Sequence, residues 1–240
     1  MTARTKAAIA FIALDSVANI GSICFDLQIV RIVTKSLFMP LITAYYILSA
    51  GFVYKTVIAA CAFSWIGDVF LINTMPAFFH ICAIISFLAA HVFFIVIYLR
   101  ILVYAKSKTK TKTRKVLNKF CAAVSAIIFA ALFCVVFFAV NPGDSQTALL
   151  VIYGAVLFAH TYAAFILFFF SEFIYKTAGI GKTALVFLGS LFFAASDSML
   201  AYFYVHTTTT FSAVIAVMAT YIIAEFLIIT GLTGVKKIPA

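Results

Sequence analysis

The chain has 240 residues, 66% of them hydrophobic and 10% charged, with a mean hydropathy of +1.20; it has too little polar surface to cover a water-soluble fold. The net charge of +10 gathers in short breaks between long apolar runs, which argues against a nucleic-acid-binding domain and for the loops of a polytopic membrane protein. The five cysteines form no CxxC pair and lie mostly inside apolar runs, so they imply neither a disulfide framework nor a zinc knuckle.

A spanning helix needs about 20 apolar residues. That ruler predicts an all-α fold, a single integral membrane domain over 1–240 with eight transmembrane helices at roughly 7–23, 36–54, 56–73, 77–99, 117–140, 147–170, 183–205 and 211–233. The first run contains Asp15 and Asn19 and shows no convincing cleavage site, so it reads as a retained helix rather than a signal peptide. Asp15, Asn19 and Ser22 fall at i, i+4 and i+7, a polar stripe that suits either a cavity lining or a bond to a neighbouring helix. Arg31 and Lys35 lie ahead of the second span. The third carries Asp68 within SWIGDVFLIN, and the fourth carries His80 and His91, on one face but about 16 Å apart along it.

The run from Ala105 to Lys115, AKSKTKTKTRK, is the long loop between the fourth and fifth spans, and NPGD at 141–144 is a turn. The basic loop holds topology and touches anionic lipid heads. His160 lies in the sixth span. Asp197 lies in the seventh, with Tyr204 seven residues on, and the eighth places Tyr221 and Glu225 at i and i+4. With both termini cytoplasmic, all but Arg31 and Lys35 of the 17 Lys and Arg fall on the inside.

Asp15, Asp68, Asp197 and Glu225 are intramembrane acids, each costing about 2.5–3.5 kcal/mol on insertion scales and hence each a candidate site residue. On these span boundaries no Lys or Arg lies inside a span to neutralise them. Burial without a cation favours the protonated carboxyl, the state a general acid occupies. Asp68 and Asp197 reach similar depths in the outer half of the bilayer and meet if the third and seventh helices are neighbours. The pattern F-x4-D-x2-L, from Phe63 to Leu71 and again from Phe192 to Leu200, suggests a degenerate four-plus-four parallel repeat. No HxxxH or HxxEH occurs, so a zinc site would need His91, His160 and an Asp to converge from different helices; interhelical hydrogen bonding is the commoner use of such histidines. His80 and His206 are expected near the outer surface, facing water.

TKSLFMPLI (Thr34 to Ile42), SWIGDVFLI, FLAAHVFFIVIY (Phe87 to Tyr98), LGSLFFAASDSMLA (Leu188 to Ala201) and TYIIAEFLIITGL (Thr220 to Leu232), in this order, resemble the YhhN-like membrane family, the lysoplasmalogenases. The resemblance implies an eight-helix membrane hydrolase that cleaves the vinyl ether bond of a lysoplasmalogen to a fatty aldehyde and a glycerophospho-base, with no cofactor or metal. By motif, it implies Asp68 and Asp197 as the catalytic acids, and Lys35, His91 and Tyr221 as matched positions in the second, fourth and eighth helices. Asp15, His160 and Glu225 are expected beside the same lysophospholipid site. The chain departs from the family pattern at Ser36, usually Pro, at Glu225, usually Gln, and at His160, a Met-like position. The alternatives are a proton-coupled small-molecule or lipid transporter and a zinc-dependent intramembrane lipid hydrolase. A bacterial inner membrane is the expected setting, or the endoplasmic reticulum for a eukaryotic source.

Overall fold

In the computed structural model, residues 2–72, 77–107, 115–140, 144–170, 180–206, 210–235 and 237–238 are described. Among the described residues the elements are eight helices: α1 (Ala3–Cys24), α2 (Gln28–Ser49), α3 (Lys55–Phe70), α4 (Ala77–Ser107), α5 (Lys115–Val140), α6 (Asp144–Phe170), α7 (Ile180–His206) and α8 (Phe211–Leu232). Seven of them are long and apolar enough to cross a membrane. The eighth, α3, has 16 residues, about 24 Å of rise. Most of the expected basic loop, 108–114, and most of the expected turn, 141–143, lie outside the described residues.

The second helix departs most from expectation. It begins at Gln28, not near 36, because α1 and α2 are joined by the three residues Phe25–Leu27. The turn closes with Phe25 N–H donating to Gly21 O at 3.0 Å and Leu27 N–H to Ser22 O at 2.8 Å. Asp26 sits at φ 52°, the left-handed region that Asp tolerates better than most residues. Arg31 and Lys35 therefore belong to a helix rather than to an outside segment. Lys35 is buried, 9% exposed, which corrects the expectation of spans without an internal cation. Pro40 lies within α2 and has no N–H for the carbonyl four residues back, Ser36. That carbonyl accepts from Trp65 Nε1 of α3 at 2.9 Å, so the freed backbone group pins the two helices together.

The helices pack as α1 on α2, α2 on α3, α3 on α4, α4 on α6, α6 on α7 and α7 on α8, with α8 returning to α1 and α2 and α5 flanking α6 and α7. Shifting each index by four maps α1–α2, α2–α3 and α3–α4 onto α5–α6, α6–α7 and α7–α8, and α4–α6 onto α8–α2, whereas α1–α8 and α5–α7 have no counterpart among the described residues, so the packing follows a four-plus-four pattern only in part. Among the described residues α3 and α7 do not pack on one another, contrary to the arrangement expected for Asp68 and Asp197 to meet. Instead α4 packs on α3 while its His91 bonds Asp197 of α7, and α8 packs on α7 while its Tyr221 bonds Asp68 of α3.

Both ends of the chain lie at one face. Thr5 Oγ1 donates to Leu48 O at 3.5 Å, Ile238 N–H to Tyr54 OH at 2.8 Å, and Lys237 Nζ stands 5.6 Å from the centroid of the Phe52 ring. At the other end His80 packs its ring on Tyr204, at 5.9 Å, and His206 on Tyr202, at 4.4 Å, instead of simply facing water. The outer surface is apolar, with Phe11, Val17, Ile29, Val103 and Phe138 all more than half exposed, as a lipid-facing surface requires.

Small residues set the closest approaches. A Cβ added at Gly189 of α7 would stand 2.8 Å from the Ala224 carbonyl oxygen and 2.8 Å from the Ile228 nitrogen, both backbone atoms of α8. Backbone cannot swing aside as a side chain can. Gly189→Ala is expected to lower stability by about 1–3 kcal/mol through separating α7 from α8, measured as the denaturation midpoint in mild detergent. An unchanged midpoint would show that the two helices are not in this register.

Candidate functional site

One face of α3 is buried through Val57, Ala60, Cys61, Ser64, Gly67 and Asp68, and the facing side of α8 presents Tyr221 and Glu225. Both polar pairs have i, i+4 spacing, so antiparallel helices match them rung by rung. Ser64 Oγ donates to Glu225 Oε1 at 2.8 Å, and Tyr221 OH donates to Asp68 Oδ2 at 2.6 Å. Asp68 is 2% exposed and Glu225 fully buried. Gly67 lets the Phe87 ring lie flush against α3 beside Asp68, where a Cβ would approach the ring to 2.7 Å.

Asp68, Lys35, Asp15, Asn19 and Tyr221 line one narrow pocket, closed by Phe38, Met218 and Ile222. The polar stripe of α1 thus does both things foreseen for it: Asp15 and Asn19 line the pocket, and Asn19 Nδ2 donates to Thr34 Oγ1 of α2 at 2.9 Å. Lys35 and Asp68 border the same space. Among the described residues, however, no acid oxygen lies within ion-pair distance of its ammonium. The space between these side chains is too tight to admit even a water molecule, so a lipid-sized ligand requires the surrounding helices to part.

Asp197 does not line this pocket. It belongs to a second polar group of α4, α6 and α7. Tyr153 OH donates to Asp197 Oδ2 in a short bond, and His91 Nε2 lies 3.2 Å from the same oxygen. His91 Nδ1 meets His160 Nδ1 at 2.9 Å, and His160 Nε2 meets Tyr98 OH at 3.1 Å and Ser190 Oγ at 3.3 Å. His91 and His160 converge with an aspartate, as a zinc site would need, but the facing nitrogens stand at hydrogen-bond distance. Two nitrogens on one tetrahedral zinc at about 2.05 Å each would be about 3.3 Å apart. Among the described residues no group of three His, Cys, Asp or Glu stands in a metal-holding arrangement.

Ser190 O–H donates to Val186 O at 2.9 Å. The imidazoles, each able to donate from one ring nitrogen and accept at the other, then form a continuous hydrogen-bonded path from Tyr98 through His160 and His91 to the Asp197 carboxyl.

Phe193 joins the two groups. Its ring centroid lies 4.6 Å from His91, 6.1 Å from His160 and 5.6 Å from Tyr221. Seven of the eight candidate residues therefore divide between two neighbouring clusters: Lys35, Asp15, Asp68 and Tyr221 around the pocket, and His91, His160 and Asp197 behind Phe193. Glu225 stands beside the first, through Ser64.

Sequence reading did not single out Tyr98, Tyr153, Ser64 or Ser190. A signal was present for three of them: Tyr98 lies seven residues after His91, Tyr153 seven before His160, and Ser64 four before Asp68, in each case on the face of the residue that was chosen.

His160→Leu would leave His91 Nδ1 and the Ser190 hydroxyl without their buried partner, a loss of about 1–3 kcal/mol. His80→Leu, at the bundle end, is expected to change stability by less than about 0.5 kcal/mol. Denaturation of the two variants in the same detergent should separate them, and equal effects would deny the His91–His160 bond.

Searches of curated proteins and of solved structures return no match to the chain. The YhhN family model matches residues 30–232, from the first turn of α2 to the end of α8, and takes in Lys35, Asp68, His91, Asp197 and Tyr221. A match over this much of the sequence establishes that the chain belongs to the YhhN family.

Proposed function

We propose that the protein is a lysoplasmalogenase, hydrolysing the vinyl ether bond of a lysoplasmalogen inside the membrane. The observation that carries the reading is the pair of buried carboxyls, Asp68 and Asp197, each held by a tyrosine hydroxyl and linked through Tyr221, Phe193 and His91 in an apolar bundle. Family membership agrees with it.

The reaction balances with water alone. A carboxyl delivers a proton to the alkene carbon that is not bound to oxygen, and the electron pair of the double bond forms the new C–H bond. The oxocarbenium ion left behind takes up water at the carbon next to oxygen, and the hemiacetal collapses to a fatty aldehyde and the free glycerol hydroxyl. A protonated acid and a nearby carboxylate divide these tasks as the paired acids of glycosidases do, one giving the proton and one stabilising the cation. Proton delivery contributes roughly 10²–10⁴-fold, and fixed charge beside the cation adds to it.

Asp68 faces the pocket and meets the reacting atoms. Asp197, at the end of a hydrogen-bonded chain that can hand on a proton, joins it when the Phe193 ring turns aside. That movement belongs to the opening a lipid needs in any case. Lys35 holds the phosphate, and the apolar outer surface admits the hydrocarbon chain from the bilayer.

The partial packing repeat favours one other reading, a proton-coupled carrier, since such carriers place buried acids between structural repeats. Product formation separates the two. Vinyl ether and ester lysolipids should be given side by side to the purified protein and the products weighed by mass spectrometry. Aldehyde should come from the vinyl ether alone, and Asp68→Asn and Asp197→Asn should each lower its rate by roughly 10²–10⁴-fold in protein that stays folded. An unchanged rate in both variants would remove the assignment.

A further inference from the structure

Two acceptors in the pocket have no partner. Asp15 Oδ2 and Asn19 Oδ1 are buried and unbonded, in side chains only 8% and 2% exposed. Orientation of the Asn19 amide is fixed by its neighbour. Thr34 O–H donates to Val30 O at 2.8 Å, so Thr34 Oγ1 accepts from Asn19, and only Nδ2 can supply that bond. The Asn19 oxygen is therefore the free end. The two residues stand one turn apart on α1, and both line the pocket that Lys35 and Asp68 share.

An unmade bond at a buried acceptor costs about 1–3 kcal/mol, which a ligand returns by bringing a donor. That ligand also carries an anion for Lys35, and its donor lies a few bonds from the anion, since all these groups border one small space. We propose that Asp15 and Asn19 form a hydroxyl-binding subsite that recognises the free sn-2 hydroxyl of a lysophospholipid. This deepens the reading of the pocket as a lysolipid site and rests on it. In a glycerophospholipid the sn-2 hydroxyl is three bonds from a phosphate oxygen and the sn-1 ether oxygen another three bonds on, so anion, hydroxyl donor and reacting ether all fall within reach of one small space lined by Lys35, Asp15, Asn19 and Asp68. A lipid acylated at sn-2 has no donor to offer, and it leaves both acceptors buried and unpaired. A site built on a hydroxyl rejects the ligand that lacks it far better than an apolar pocket rejects one extra group. Asp15 and Asn19 thus select lysolipids over their diacyl counterparts.

The test uses saturated alkyl ether lysolipids, which have no vinyl ether to cleave, carrying either a hydroxyl or a methoxy group at sn-2. Binding to the full-length protein in nanodiscs is measured for each, with phosphocholine and phosphoethanolamine heads. The hydroxyl probe should bind about 10–10²-fold more tightly than the methoxy probe, whichever head it carries. Asp15→Val and Asn19→Leu should bring that ratio towards one by weakening the hydroxyl probe alone, while Asp15→Asn, which keeps a carbonyl oxygen, should retain most of it. Equal binding of the two probes by the unaltered protein overturns the inference without recourse to any variant, and so does failure of both to bind. A preference set by ethanolamine over choline, with no effect of the methoxy group, also overturns it, because the acceptors would then serve the head-group ammonium. Since no probe is cleaved, a hydroxyl preference in a protein that releases no aldehyde leaves the subsite standing and removes the enzymatic reading; aldehyde release without the preference does the reverse.

Discussion

Charge held inside a lipid-facing bundle governs this structure. Lys35 stands buried on α2 and shares a pocket with Asp68 of α3, in a protein whose outer surface is apolar. Each group alone is expensive at that depth, so both are confined to the interior, where α1, α2, α3 and α8 close around them. Beyond ion-pair contact their attraction does not consume them. The lysine keeps donors for an anion, and the carboxylate side keeps an oxygen for something other than lysine.

The same economy of partners shapes the second cluster. Among the described residues no lysine pairs with Asp197, and its oxygen is satisfied by Tyr153 and His91. The two acids are thus treated differently by a fold that repeats in part: α4–α6 packing recurs as α8–α2, and each acid is bonded from the fourth helix of the opposite half, Asp68 by Tyr221 and Asp197 by His91. The scaffold that is alike in part thus gives the two carboxyls unlike surroundings, Asp68 at a pocket that Lys35 shares and Asp197 held by Tyr153 and His91. Phe193 lies where the halves meet, touching His91 on one side and Tyr221 on the other.

Much of the scaffold was legible in the amino-acid sequence, because an apolar run long enough to span a bilayer has few other ways to satisfy its backbone. Seven helices are found where hydropathy placed them, to within a few residues at most ends. The start of α2 was not legible: Gln28, Arg31 and Lys35 lower the local hydropathy, and only the three-residue turn at Asp26 carries the helix back so early. Lys35, expected to bind substrate from the outer interface, therefore lies deeper than foreseen, buried in the pocket. The candidates themselves were found because polar side chains in apolar runs are rare enough to notice. Their division into two clusters was hidden, since spacing along a helix says which face a residue occupies and nothing of which helix that face meets; α4 and α8, not α3 and α7, turned out to be the bridging elements. Tyr98 and Tyr153 were overlooked because tyrosine is common in such helices, although each shares a face with a histidine.

The central claim is that a carboxyl in this bundle gives its proton to carbon, and isotope transfer tests it most directly. Hydrolysis of a lysoplasmalogen in deuterium oxide, with the aldehyde reduced at once to an alcohol that cannot exchange, should place one deuterium on the carbon next to the former aldehyde carbon. Aldehyde with only hydrogen there, or no aldehyde at all, would contradict the account.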